Sequence, residues 1–106
     1  MSQFIFTYHG GTKPDTPEAG KEGLEKWKEW AAGLGESLIN PGTPVGITKV
    51  LTKDGVSKEP SMHPIAGFSI IEAENMDAAL ELLRDCPHIH MMGGTLEISE
   101  MMEMPG

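Results

Sequence analysis

The sequence predicts an α+β domain in which two helices pack on one face of an antiparallel sheet. Three observations carry this expectation. Aromatic and β-branched residues alternate over residues 3–9, two stretches repeat apolar residues at helical spacing, and strand-like runs lie between and after them.

The first strand is Gln3–His9, with Phe4, Phe6 and Tyr8 on one side and Ile5, Thr7 and His9 on the other. Gly10 and Gly11 end it. Thr16 and Pro17 fit the N-cap and first turn of a helix, with Glu18 favourably placed against the helix dipole. Leu24, Trp27, Ala31 and Leu34 form its apolar stripe, Trp30 lies off that stripe towards a cleft, and Gly35 terminates the helix. Ser37–Ile39 is a short strand candidate halted by Asn40, Pro41 and Gly42. Val45–Thr52 is a second β run, followed by a turn at Asp54-Gly55 from which Val56–Glu59 pairs back. Pro60–Pro64 is a rigid connector. Ile65–Ala73 is apolar on both parities, as a strand covered on both faces would be. A second helix begins near Asn75–Asp77, carries Met76, Ala79, Leu80 and Leu83 on one face, and is closed by Pro87. A glycine turn at Gly93-Gly94 leads to a last strand, Thr95–Met102, and a tail ending at Pro105 and Gly106. The order β-α-β-β-α-β is the ferredoxin-like plan. Because the strands are apolar on both sides, the open sheet face needs a cover, and a second subunit is the economical one.

At 106 residues the chain reads as a single domain, residues 1–106. Leu, Ile, Val and Phe total only 22, and eight methionines supplement them, five of these near the last strand, where a partner subunit would pack. The net charge of −8 and the single guanidinium, Arg84, argue against nucleic acid or an anionic membrane as target. No apolar run approaches the ~18 residues of a membrane span, and the N-terminal segment has no basic region leading into a long apolar one. Cys86 is the only cysteine, so no internal disulfide forms and a reduced, cytoplasmic location is the expectation.

The segment from His63 to Met104 resembles the YCII-related (YciI-like, including DGPF-type) family. Pro64–Ala73 stands where that family has its Gly-aromatic strand. Asn75–Glu81 resembles its D-x-A-L-E helix start, and Cys86-Pro87 with Gly93–Ile98 resembles its C-P … G-G-x-x-E-V ending. The first half matches in plan alone. The resemblance implies a dimeric α+β barrel of two ferredoxin-like subunits with a cleft in each. Two departures stand out. The DGPF-type loop is replaced by Lys58–Met62, and the family's His and Asp pair is not reproduced, Leu24 and Cys86 falling at those places.

Among residues able to do chemistry, His9 ends the first strand beside glycines that permit close approach, and an imidazole there suits a general base. His63, on the proline-bounded connector, is a second candidate. Glu72 is a third, since it shares parity with Phe68 and Ile70 and a carboxylate on an apolar face gains acid–base character. Each also reads as an ordinary residue at a strand end or loop. Glu100, on the parity of Leu96 and Ile98, is weighed the same way. Cys86, His88 and His90 form C-x-H-x-H, but three side chains from one short loop seldom close a tetrahedral site, so a helix-exit loop is the preferred reading and no metal is assigned. Cys86 beside Asp85 at a helix end favours the neutral thiol over a nucleophile. No nucleotide or hydrolase motif is present, and no cofactor is expected. The first functional expectation is therefore a cofactor-free enzyme that moves a proton on a small metabolite, by isomerisation or elimination, with His9 aided by His63 or Glu72. The alternative is a non-catalytic small-molecule binding or interaction module.

Overall fold

The structure is a computed structural model that describes residues 1–12 and 14–104; Pro105 and Gly106 lie outside the described residues. Strand β1 spans Ser2–His9 and buries Phe4, Phe6 and Tyr8 on the face the alternation predicts. Helix α1 runs Pro17–Leu34. Thr16 caps it, its Oγ1 accepting from the Ala19 N–H at 3.1 Å, and Gly35 follows its last turn. A single turn of 3₁₀ helix, Gly35–Ser37, leads into β2, Leu38–Pro44. Next come a two-stranded hairpin, β3 (Leu51–Thr52) and β4 (Gly55–Val56), and then β5, Gly67–Ala73. Helix α2 is Met76–Leu83, capped by Asn75 Oδ1 on the Ala78 N–H. A four-residue helix α3, Pro87–His90, and strand β6, Thr95–Glu100, complete the chain.

The main sheet has the order β2-β5-β1-β6, and every neighbouring pair is antiparallel. Setting the small hairpin aside, this is the ferredoxin-like order, with β5 inserted between the parallel β1 and β2. Phe4, Phe6, Tyr8, Ile71 and Ala73 face the helices and form the core with Ala79, Leu83 and Cys86.

Two expectations need correction. The second sheet strand is not the 45–52 run but Leu38–Pro44, which passes through the residues read as a stop. Asn40 Oδ1 accepts from the Gly42 N–H at 2.8 Å, Gly42 takes φ +70°, and the register shifts there, so the strand bulges. A Cβ on Gly42 would lie 1.7 Å from the Phe68 carbonyl oxygen, so no side chain fits. Pro41 is tolerated because β2 is an edge strand, and its carbonyl still accepts from Ser69 Oγ at 2.7 Å. Second, the helix stripes hold only in part: on α1 Trp27, Ala31 and Leu34 face the core but Leu24 does not, and on α2 Ala79 and Leu83 are buried whereas Met76 and Leu80 are exposed. Leu24 is 51% exposed, whereas Gly23 is buried and receives the Met92 methyl at a distance only a glycine permits comfortably. Trp30 lies at the edge of the core between helix and sheet, edge-on to Phe6 at 6.4 Å between ring centroids.

Candidate functional site

The open face of the sheet is defined by register. Thr7 stands between Phe68 on β5 and Glu97 on β6, Ile5 between Ile70 and Ser99, and His9 beside Thr95. Phe68, Ile70 and Ile5 give this face a half-buried apolar centre, and His9 sits at its edge where β1 ends.

The His9 side chain is 13% exposed and has a partner at each ring nitrogen. Nδ1 lies 3.1 Å from the Pro64 carbonyl oxygen. A carbonyl only accepts, so Nδ1 carries hydrogen and the free lone pair of the neutral ring is on Nε2. Nε2 lies 2.6 Å from Thr7 Oγ1 and 3.3 Å from Glu97 Oε2. The neutral ring can accept the Thr7 hydroxyl proton, and the protonated ring can donate to the Glu97 carboxylate. Both states of the imidazole therefore have a partner in place, which is what a group that takes up and returns a proton needs. Glu97 is 58% exposed and remains reachable from outside.

The other sequence candidates fall elsewhere. His63 is exposed on its connector, with its backbone N–H directed to Ser61 Oγ. That connector does reach His9, through the Pro64 carbonyl rather than the His63 ring. Glu72 shares the open face but pairs with Gln3, six positions along β1 from His9, so the two are separated by ~20 Å of strand. Glu72 instead borders an open hollow of about 410 Å³ with Met1, Ala78 and Leu82. Another hollow, about 300 Å³, lies between the start of α1 and Met91-Met92. His9 and His63 line neither.

Cys86, His88 and His90 diverge. His88 Nε2 donates to the His9 carbonyl at 2.9 Å and its ring stands edge-on to Tyr8, whereas His90 Nε2 donates to the Arg84 carbonyl. His88 thus braces the end of β1 from the helix side. It can lie there because residue 94 is glycine; a Cβ at that point would be 2.2 Å from His88 Nε2. Cys86 is fully buried, and desolvation raises its thiol pKa although the His88 and Ile89 backbone N–H groups pull the other way. A neutral thiol is the result, as the sequence leads one to expect.

Behind the site runs a directed chain of hydrogen bonds. Trp27 Nε1 donates to the Tyr8 hydroxyl at 3.0 Å, Tyr8 donates to Ser69 Oγ at 3.0 Å, and Ser69 donates to the Pro41 carbonyl. Burial raises the Tyr8 pKa against the lowering effect of its two hydrogen bonds. This chain ties α1, β1, β5 and β2 together.

Thr7, Glu97 and the Pro64 carbonyl are the parts that sequence reasoning missed. Thr7 was visible on the parity of His9. Glu97 lies on the parity opposite Leu96 and Ile98, but only the β1–β6 register brings it to His9.

No family model matches the chain, and no curated protein matches it either. Among solved structures, it is similar to 5-chloro-2-hydroxyhydroquinone dehydrochlorinase (TftG) from Burkholderia phenoliruptrix AC1100, in complex with 2,5-dihydroxybenzoquinone. The TM-score is 0.52 at 16% identity, over 90% of each chain. The likeness establishes the fold. It supports the α+β, ferredoxin-like architecture across nearly the whole chain. Among the described residues no helix is long and apolar enough to cross a membrane.

Proposed function

We propose that the protein is a cofactor-free enzyme of the YCII-related type that moves a proton on a small metabolite, with His9 as the base. The observation that carries this reading is the pairing of His9 Nε2 with both Thr7 Oγ1 and Glu97 Oε2 while Nδ1 is held by Pro64. His9 takes the proton, Glu97 stabilises the imidazolium, and Pro64 fixes the ring orientation. Loss of HCl, the reaction in the neighbour's name, also requires a proton to be removed, which agrees with a site of this kind. The working form is a homodimer in which the partner covers the open sheet face, and the ligand lies by the apolar centre formed by Ile5, Phe68 and Ile70. A single buried thiol fits a reducing, cytoplasmic setting.

A second reading, a non-catalytic binding module, is favoured by one observation: the two hollows described above both lie away from His9. A thermal-shift screen of small hydroxylated and carbonyl ring compounds, followed by turnover of the binders, separates the two. The enzyme reading expects His9→Gln to lower turnover by ~100-fold or more with binding little changed. Binders that are never turned over, and that bind His9→Gln as well as the wild type, establish the second reading instead.

A further inference from the structure

The sequence run at 45–52 that did not join the main sheet has a different fate. Residues 45–62 leave β2, form the β3–β4 hairpin as a separate two-stranded sheet, and return at β5. The hairpin pairs only Leu51 with Val56 and Thr52 with Gly55, and a hairpin that small is not stable alone in water. It nevertheless presents apolar side chains outward: Ile47 is 91% exposed, Leu51 79%, Val56 63% and Met62 89%.

The size of the exposed surface says that something covers it. A folded monomer of 11.5 kDa exposes about 5,800 Å², whereas this chain exposes 7890 Å². The excess of about 2,100 Å² is more than twice the ~800 Å² that each partner buries in a standard interface. The radius of gyration, 15.4 Å, likewise exceeds the ~13 Å of a closed domain of this length.

Charge indicates what the cover is. Residues 45–62 carry Lys49, Lys53 and Lys58 against Asp54 and Glu59, a net positive arm on a chain of net charge −8. The open sheet face carries Glu72 and Glu97 around Ile5, Phe68 and Ile70, and its paired strand positions include no Lys or Arg. Arm and face are complementary in both charge and apolar character.

We propose that in a homodimer the 45–62 arm of each copy lies across the open sheet face of the other, so that the His9 site of one copy is closed by the partner's arm. The proposal builds on the reading of the open face as the functional one, but its test does not depend on catalysis. A twofold axis makes the exchange reciprocal, and each arm covers the apolar centre beside the partner's His9–Glu97 pair. The arm supplies the apolar lid that a single chain lacks over His9, which would exclude water from the imidazole.

The test uses the full chain with substitutions at four positions, alone and combined. Ile47 and Leu51 are exposed in the single chain, so Ile47→Asp with Leu51→Asp leaves the monomer fold intact, as circular dichroism would show. Sedimentation equilibrium of the wild type at micromolar concentration should give a dimer, and the double variant should weaken it by ~100-fold or more. Ser99→Cys places a thiol on the open face, while native Cys86 is fully buried and silent. Maleimide should label residue 99 slowly in the wild-type background and at least ten times faster when the arm carries the two aspartates. A monomeric wild type, a double variant that dimerises as well as the wild type, or labelling of Ser99→Cys that the arm substitutions do not change would each overturn the proposal. His9→Gln should leave dimerisation and labelling unaltered, so a failure of the catalytic reading and a failure of the arm exchange give different results.

Discussion

At the scale of single residues, two side chains with similar reputations behave oppositely. His9 is shielded, and each of its ring nitrogens has a hydrogen-bond partner in place. Cys86 is fully buried, and burial holds its thiol in the protonated form. The latter has a consequence for stability. A thiol whose pKa is raised in the folded state binds its proton more tightly folded than unfolded. Its stabilising effect is therefore complete below the unfolded value, about 8.5, and is lost as pH rises through the folded one. Tyr8, also raised by burial, adds to the same loss at higher pH. Urea titrations from pH 7 to 10.5 should show stability falling above about pH 8.5, with a shallower fall in Cys86→Ala even though that variant starts less stable. Equal slopes for the two proteins would remove Cys86 as the cause.

At the scale of elements, the two longer helices were legible, whereas strand β2 and the short helix α3, expected as a loop, were not. Thr16-Pro17, Gly35 and Asn75 are local signals read by neighbouring backbone atoms, and the structure uses each where the sequence puts it. The β2 strand was hidden because Asn40-Pro41-Gly42 is a turn signature in isolation. Its extended path is set by non-local partners, Phe68, Ser69 and Ile70 on β5. The same limit concealed Glu97, which local pattern places on an outward face and only register places at His9. Helix α1 was legible in span and in most of its core face, Trp27, Ala31 and Leu34, but not at its first turns, where burying Gly23 rather than Leu24 depends on where Met92 arrives. If β2 bulges because no Cβ fits at residue 42, then Gly42→Ala should cost at least ~2 kcal/mol in urea unfolding. Gly33→Ala in α1, where a Cβ meets nothing within 4 Å, should instead be neutral or stabilising by about 0.5 kcal/mol. A Gly42→Ala variant as stable as the wild type would mean that β2 does not approach Phe68 as described.

At the scale of the whole molecule, the chain is a thin slab, 46 × 44 × 19 Å, with helices on one side and an uncovered sheet on the other. The scarcity of Leu, Ile, Val and Phe agrees with this shape, because a two-layer slab has one core to fill. The exposed Met101, Met102 and Met104 beside β6 and the apolar arm fit the same account, since adaptable side chains suit a surface that becomes interior on association. What the molecule offers on that face is a strand ending in an imidazole held at both ring nitrogens. The central claim is that His9 removes a proton from a small molecule held there. It is tested most directly by proton NMR of candidate ring metabolites in D₂O, following enzyme-dependent exchange of a carbon-bound hydrogen for deuterium. The account predicts exchange with the wild type and a loss of ~100-fold or more with His9→Gln, and exchange at the wild-type rate in that variant would contradict it.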